Sequence, residues 1–157
     1  MEWLRALADW PLAAALRQSG IAYPLVNAAH ILSLGLLVGS IAVLDLRLVG
    51  LWRGAPLAVL GPVLSRAAAI GLGLAAATGA LLFATRPLAY AVNPAFLLKL
   101  GLVGLGVANA LALRALPHWR RALAGEAPHG AVRAAAGASL ALWVGAVVAG
   151  RWIGFLQ

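Results

Sequence analysis

Charged residues are placed so that long stretches of the chain hold none. No Asp, Glu, Lys or Arg occurs from Gln18 to Leu44, and none from Ala67 to Thr85. Two further apolar stretches, about 94–114 and 134–153, are interrupted inside only by Lys99 and Arg151. A helix rises about 1.5 Å per residue, so roughly 20 apolar residues cross the hydrocarbon core of a bilayer. The pattern predicts four spans, at about 22–44, 66–86, 94–114 and 134–153. Period-two alternation is absent, which argues against a membrane β-barrel. Short links between long helices predict an antiparallel four-helix bundle, all-α, forming a single membrane domain over 1–157.

Residues 1–19 carry Glu2, Arg5, Asp9 and Arg17 among apolar positions at helical spacing, too charged to span. They predict an interfacial amphipathic helix with Trp3 and Trp10 at headgroup level. The segment has neither the positive start nor the unbroken apolar core of a signal peptide, so it is expected to be retained. Asp9 followed by Pro11 predicts a restart there. Residues 48–62, with Gly50, Gly54, Pro56, Gly61 and Pro62, read as a connector with at most a short surface helix. Residues 114–133, with His118, Arg120, Arg121, Glu126, Pro128 and His129, read as a polar, solvated loop.

Composition sharpens the membrane assignment. Hydrophobic residues make up 64% of the 157 and charged residues 10%, against about 25% charged in soluble chains. So few charges cannot cover a water-soluble globule. The net charge of +8 would suggest nucleic acid if it formed a stripe, but the basic residues lie between apolar runs. There they set topology and meet lipid headgroups. Seven of them (Arg47, Arg53, Arg66, Arg114, Arg120, Arg121 and Arg133) flank one side, and five (Arg5, Arg17, Arg86, Lys99 and Arg151) the other. The positive-inside rule then puts both termini outside the cytoplasm. The absence of cysteine removes disulfides, thiolate metal sites and Cys nucleophiles. Gly35 and Gly39 form a GxxxG, and the other spans hold Gly71, Gly73 and Gly79, Gly101, Gly104 and Gly106, and Gly137, Gly145 and Gly150. They predict close helix packing within the chain, with a dimer face as the alternative.

The candidate chemistry centres on His30, the one histidine within a span. Tyr23, Asn27, His30, Ser33 and Leu37 share a helical face. A polar stripe in a bilayer should face protein or a cavity, and an ionisable residue there marks a functional site unless it is a neutral ring bonded to a neighbouring helix. Arg86, Lys99 and Arg151 belong to the same side of the membrane, and His30 lies roughly 12 Å inward from it. These cations either snorkel to the headgroups or converge on an anionic group. A single imidazole beneath cations fits haem b, with His30 as metal ligand and the cations on the propionates. The second axial ligand would come from another copy's His30 or be lacking, since His118 and His129 lie in the opposite loop. A quinone needs only a few hydrogen-bonding groups in an apolar cleft, for which Asn27, His30 and Tyr90 are candidates. Copper(I) prefers Cys and Met, of which the chain has none and one. No GxSxG, HExxH or P-loop occurs, Gly71-Leu72-Gly73 and Gly104-Leu105-Gly106 fall inside spans, and four acids make a paired-carboxylate site implausible. An enzyme is not expected.

Several stretches carry a resemblance. Asn27-Ala28-Ala29-His30-Ile31-Leu32 leads to Asp45-Leu46-Arg47-Leu48, Asn93-Pro94-Ala95-Phe96 leads to Lys99, and Gly150-Arg151-Trp152-Ile153 follows. Together they resemble an uncharacterised family of bacterial four-span inner-membrane proteins, over nearly the whole chain. A more distant likeness, in the His of one span and the Lys and Asn109 of another, is to the membrane domain of the copper-resistance D family. Neither implies haem. The expected function is a small, non-catalytic inner-membrane protein with a redox-linked role, binding haem b or a quinone near His30. The alternatives are a small transport or copper-handling protein, and a structural or assembly subunit of a larger membrane complex. Membrane lipids are the expected partners, with a homodimer or larger complex as possible assemblies and no nucleic acid.

Overall fold

A computed structural model describes residues 2–51 and 54–156, and every regular element in them is helical. In chain order these are α1 (Glu2–Ala8), α2 (Pro11–Gln18), α3 (Ala22–Val49), α4 (Leu57–Thr85), α5 (Pro87–Ala91), α6 (Pro94–Ala115), α7 (Pro117–Leu123) and α8 (Gly130–Trp152). A 3-10 turn, Ile153–Phe155, extends α8. Helices α3, α4, α6 and α8 are long and apolar enough to cross a membrane, so the chain is an all-α bundle of four apolar helices.

The four helices do not form a closed ring. Helix α3 lies between α4 and α8, and α8 lies between α3 and α6. No Cα of α6 comes within 8 Å of a Cα of α4. The two are strapped at their ends instead. Helix α5 touches both at one end of the bundle, and α7 touches both at the other. Between the straps the α4 and α6 backbones stand apart as a slot, which in the α7 half is a cavity lined from α3, α4, α6, α7 and α8, while at the α5 end Phe83 and Phe96 stack across it. Near the α7 end an Arg114 Nη2 donates across it to the Ser65 carbonyl at 3.5 Å.

Apolar surfaces gain little by meeting in lipid, so the seams depend on close backbone approach. Gly71 of α4 lies so near α3 that a Cβ there would stand 2.6 Å from the Leu37 nitrogen and 3.0 Å from the Ser33 oxygen. Gly106 of α6 receives the Trp143 ring of α8, and Gly150 of α8 receives the aliphatic stem of Lys99. Gly35 and Gly39 take no such part: both face outward, with nothing within 4 Å of the position a Cβ would occupy.

Several boundaries differ from those the charge pattern predicts. Helix α3 does not stop at Asp45 and Arg47 but continues to Val49, closed by Gly50 at a φ of 101°. Only glycine adopts that left-handed cap without cost. Helix α4 begins at Leu57 and absorbs Gly61 and Pro62, which read as connector. Pro62 removes one helical hydrogen bond, but Leu57 and Gly61 are buried there, with Leu57 packed beside Leu48 and Ala122. Tertiary packing outweighs local propensity. The 114–133 segment is not wholly solvated either, since α7 turns Trp119 and Ala122 into a core with Leu44, Leu113, Val132 and Ala136. The single interfacial helix is two, broken at Asp9-Trp10, with Pro11 opening α2 where a restart was expected. Leu4, Ala13 and Leu16 bury one face of this pair. Arg17 donates to the Thr85 carbonyl at 3.0 Å, which fixes α2 to the end of α4.

Candidate functional site

His30 is half-buried on the inner face of α3, opposite α4. Its Nδ1 lies 2.9 Å from Thr78 Oγ1. The Thr78 hydroxyl has one proton, and it donates that to the Leu74 carbonyl at 2.7 Å. Thr78 is therefore the acceptor and Nδ1–H of His30 the donor. In the neutral ring that leaves the lone pair on Nε2. Gly79 makes room for the ring, since a Cβ there would be 3.1 Å from Cε1. The ring also meets the Ala75 backbone of α4, so both of its neighbours on that side come from α4, and the Thr78 geometry suits a ring protonated at Nδ1.

Among the predicted cations, Lys99 is the one whose charge acts on the His30 ring. Its stem lies along Gly150, so the ammonium reaches the interior from the α6 side. The other predicted residues are dispersed. Arg86 is exposed at the end of α4. Arg151 is exposed and stacks over its own neighbour Phe155, 4.9 Å from the ring centre. Tyr90 belongs to an aromatic cluster, with ring centres 6.1 Å from Phe83 and 5.3 Å from Phe96, at the same end of the slot. Asn27 and Tyr23 are exposed. The stripe turns inward only from His30 onward, because neighbouring helices leave the first turns of α3 largely uncovered. The fold therefore does not gather the predicted residues into one cluster: Lys99 packs along Gly150 and acts on His30 only through its charge, while Asn27, Arg86 and Arg151 face outward.

Asn93 supplies the frame for this end. Its Oδ1 accepts from the Ala95 and Phe96 amides, capping α6, while Nδ2 donates to the Ile153 and Leu156 carbonyls at 3.4 Å. One side chain so fixes the start of α6, which carries Lys99 six residues on, against the end of α8.

A second polar centre lies in the other half of the bundle, about 22 Å along α3 from His30. There Asp45 is 4% exposed, on the buried face with Leu44 and Leu48. With Ser139, Asn109 and Trp143 it lines a cavity of about 140 Å³. Sequence reasoning assigned Asp45 to a helix end because it is charged. Its spacing from Leu37, Ile41 and Leu48 places it on the inward face, and that was the available signal. Among the described residues no group of three or more His, Asp and Glu is close enough to hold a metal ion. No family model, curated protein or solved structure matches this chain.

Proposed function

We propose that this is a small multi-pass protein of the bacterial inner membrane, with its termini outside the cytoplasm, that holds a quinone or quinol head group at His30 in a redox-linked role. The observation that carries the reading is a half-buried His30 on the inner face of α3, held through Nδ1 by Thr78 and within the electrostatic reach of Lys99 on α6. The two groups match both oxidation states of the ligand. A quinol O–H donates to the imidazole, and the ammonium donates to a quinone carbonyl. The wide spacing of the α4 and α6 backbones offers a bilayer-dissolved molecule a lateral way in. The aromatic cluster of Phe83, Tyr90 and Phe96 offers flat apolar surface at the same end.

Haem b fits the residues less well. His30 would be its only ligand from this chain, because His118 and His129 lie at the α7 end. Arg151 and Arg86, the expected propionate partners, do not join Lys99. Copper finds no thiolate, and the one stacked imidazole pair among the described residues, His118 and His129 with ring centres 4.2 Å apart, lies at the α7 end, away from His30. Two polar centres along the inner face of α3 would suit a transport path, but the Gly71 crossing at Leu37 closes the seam between them, which favours separate sites.

The test is binding of decylubiquinone and a short-chain menaquinone to the detergent-purified protein, followed by quenching of tryptophan fluorescence. Losing one hydrogen bond to a charged donor weakens binding by about 1.5–3 kcal/mol, or roughly tenfold and more. Lys99→Met should show that loss and His30→Ala a loss of several-fold, while Arg86→Gln binds normally. Equal affinity in all four proteins would end the proposal. A Soret band in the purified protein that disappears in His30→Ala would replace the quinone with haem.

A further inference from the structure

The α7 half of the slot has hydrocarbon walls. Leu72 of α4 and Val107, Ala110 and Leu111 of α6 form its sides, with Leu37 and Leu44 of α3 behind. Ala69 of α4 and Leu111 of α6 line this cavity and are also exposed, so it opens sideways between those two helices. The polar groups at its back are closed to a visitor. Asp45 is bonded to Ser139, Trp143 rests its Nε1 edge on Gly106, and neither Asp45 Oδ2 nor Trp143 Nε1 is accessible. An occupant of about 140 Å³ between such walls is a length of alkyl chain.

The mouth has a different chemistry. Arg114 lines the cavity, is exposed, and gives one Nη2 donor to the Ser65 carbonyl across the slot. A guanidinium has five N–H donors in all, so most are free for an anion. The level of this residue in the bilayer follows from α4. Arg66 and Arg86 bracket its uncharged run and stand roughly 30 Å apart along the helix, the thickness of a hydrocarbon core. Ser65, and Arg114 beside it, are therefore at the headgroup boundary of one leaflet. Leu72 and Val107, seven residues further in on each helix, lie roughly 10 Å deeper. The cavity thus runs from headgroup level into the acyl region, the course a lipid tail takes. The charge at this rim is also one-sided. Arg66, Arg114, Arg120, Arg121 and Arg133 are exposed there, and Glu126 is the one exposed acid at that end among the described residues.

We infer that the α7 half of the slot binds an anionic diacyl phospholipid of the phosphatidylglycerol class, with one acyl chain between α4 and α6 and the phosphate on Arg114. The planar fork of arginine suits phosphate oxygens, and basic residues at a cleft between spans attract anionic head groups. A choline lipid carries the same phosphate, but its quaternary ammonium meets a rim of like charge. The site is separate from His30 and independent of what that residue holds.

The detergent-purified protein is titrated with dioleoyl phosphatidylglycerol and dioleoyl phosphatidylcholine, and bound lipid is counted by native mass spectrometry. One arginine at an anionic head group is worth about fivefold in affinity, so the glycerol lipid should lead by at least that factor. Arg114→Gln should lose the lead. Arg133→Gln, at the same rim but outside the cavity, should keep most of it. Ala110→Phe fills the cavity and should weaken both lipids several-fold; it also reads the site if Arg114→Gln fails to fold. Equal affinity for the two lipids, equal losses in Arg114→Gln and Arg133→Gln, or unchanged binding in Ala110→Phe overturns the assignment. Competition by free sn-glycerol 3-phosphate at the concentration of the lipid overturns the part given to the chain. A dimer that Ala110→Phe breaks while lipid binding persists would give the slot to a second copy instead.

Discussion

Gly71→Ala is the substitution that most directly probes how the bundle is held. The added Cβ would meet the Leu37 nitrogen at 2.6 Å and its Cα at 2.9 Å, where ordinary contact begins near 3.4 Å. All of the nearest atoms belong to the α3 backbone, so no side chain can rotate away. Helix α3 or α4 must retreat by about 0.8 Å along a seam that also buries Leu37 and Ala75. Overpacking of this kind costs about 1–3 kcal/mol. An alanine in a helix interior is otherwise worth up to about 1 kcal/mol over glycine. Gly73→Ala and Gly35→Ala, with open space at the same atom, should keep that gain. The two effects together separate Gly71→Ala from Gly73→Ala by about 2–4 kcal/mol, or roughly 4–16 °C in Tm for a chain of this length. Thermal unfolding in one detergent, followed by circular dichroism, reads the difference. If Gly71→Ala melts with Gly73→Ala, the α3–α4 crossing is not where the fold places it.

Asn93→Ala should cost about 1 kcal/mol through loss of the α6 cap, and hydrogen exchange should quicken first at the Ala95 and Phe96 amides that Oδ1 now accepts from. Gly106→Val should displace the Trp143 ring and lower stability by about 1–3 kcal/mol, with a shift in tryptophan emission, whereas Gly104→Val, facing open space, should do neither. A periplasm-active phosphatase fused after Gln157 should be active; activity only of a cytoplasmic reporter at that point would reverse the orientation.

The four spans were legible because a bilayer imposes one coarse demand, a long apolar run with almost no charge; the chain meets it four times, twice with no charge and twice with a single cation, Lys99 or Arg151, inside. What that rule could not see was where a helix goes on beyond the apolar run. Asp45 and Arg47 look like an end, yet Leu44 and Leu48 bury the same turns and carry α3 onward. Gly61 and Pro62 look like a break, yet Gly61 is the small position against which Leu123 of α7 packs. Trp119 was hidden among arginines in a segment judged by its charge. His30 and Lys99 each stood out as an ionisable group within an apolar run, and Lys99 was expected to converge on His30 together with Arg86 and Arg151. Arg86 and Arg151 share their side of the membrane, but sharing a side does not set direction. Chain ends offer long cationic side chains other company, as Phe155 does for Arg151. The hydrogen bond of the His30 ring lay beyond sequence, since its partner Thr78 comes from another helix.

The straps at the ends of α4 and α6 have a mechanical consequence. Helices α5 and α7 lie at the two rims of the bundle, while nothing ties α4 to α6 in the middle. The opening is then braced like a buttonhole, with its ends fixed by elements at the opposite faces of the bilayer. A change in the spacing of α4 and α6 midway along the bundle would therefore leave both rims, and the seams that α3 and α8 make, in place.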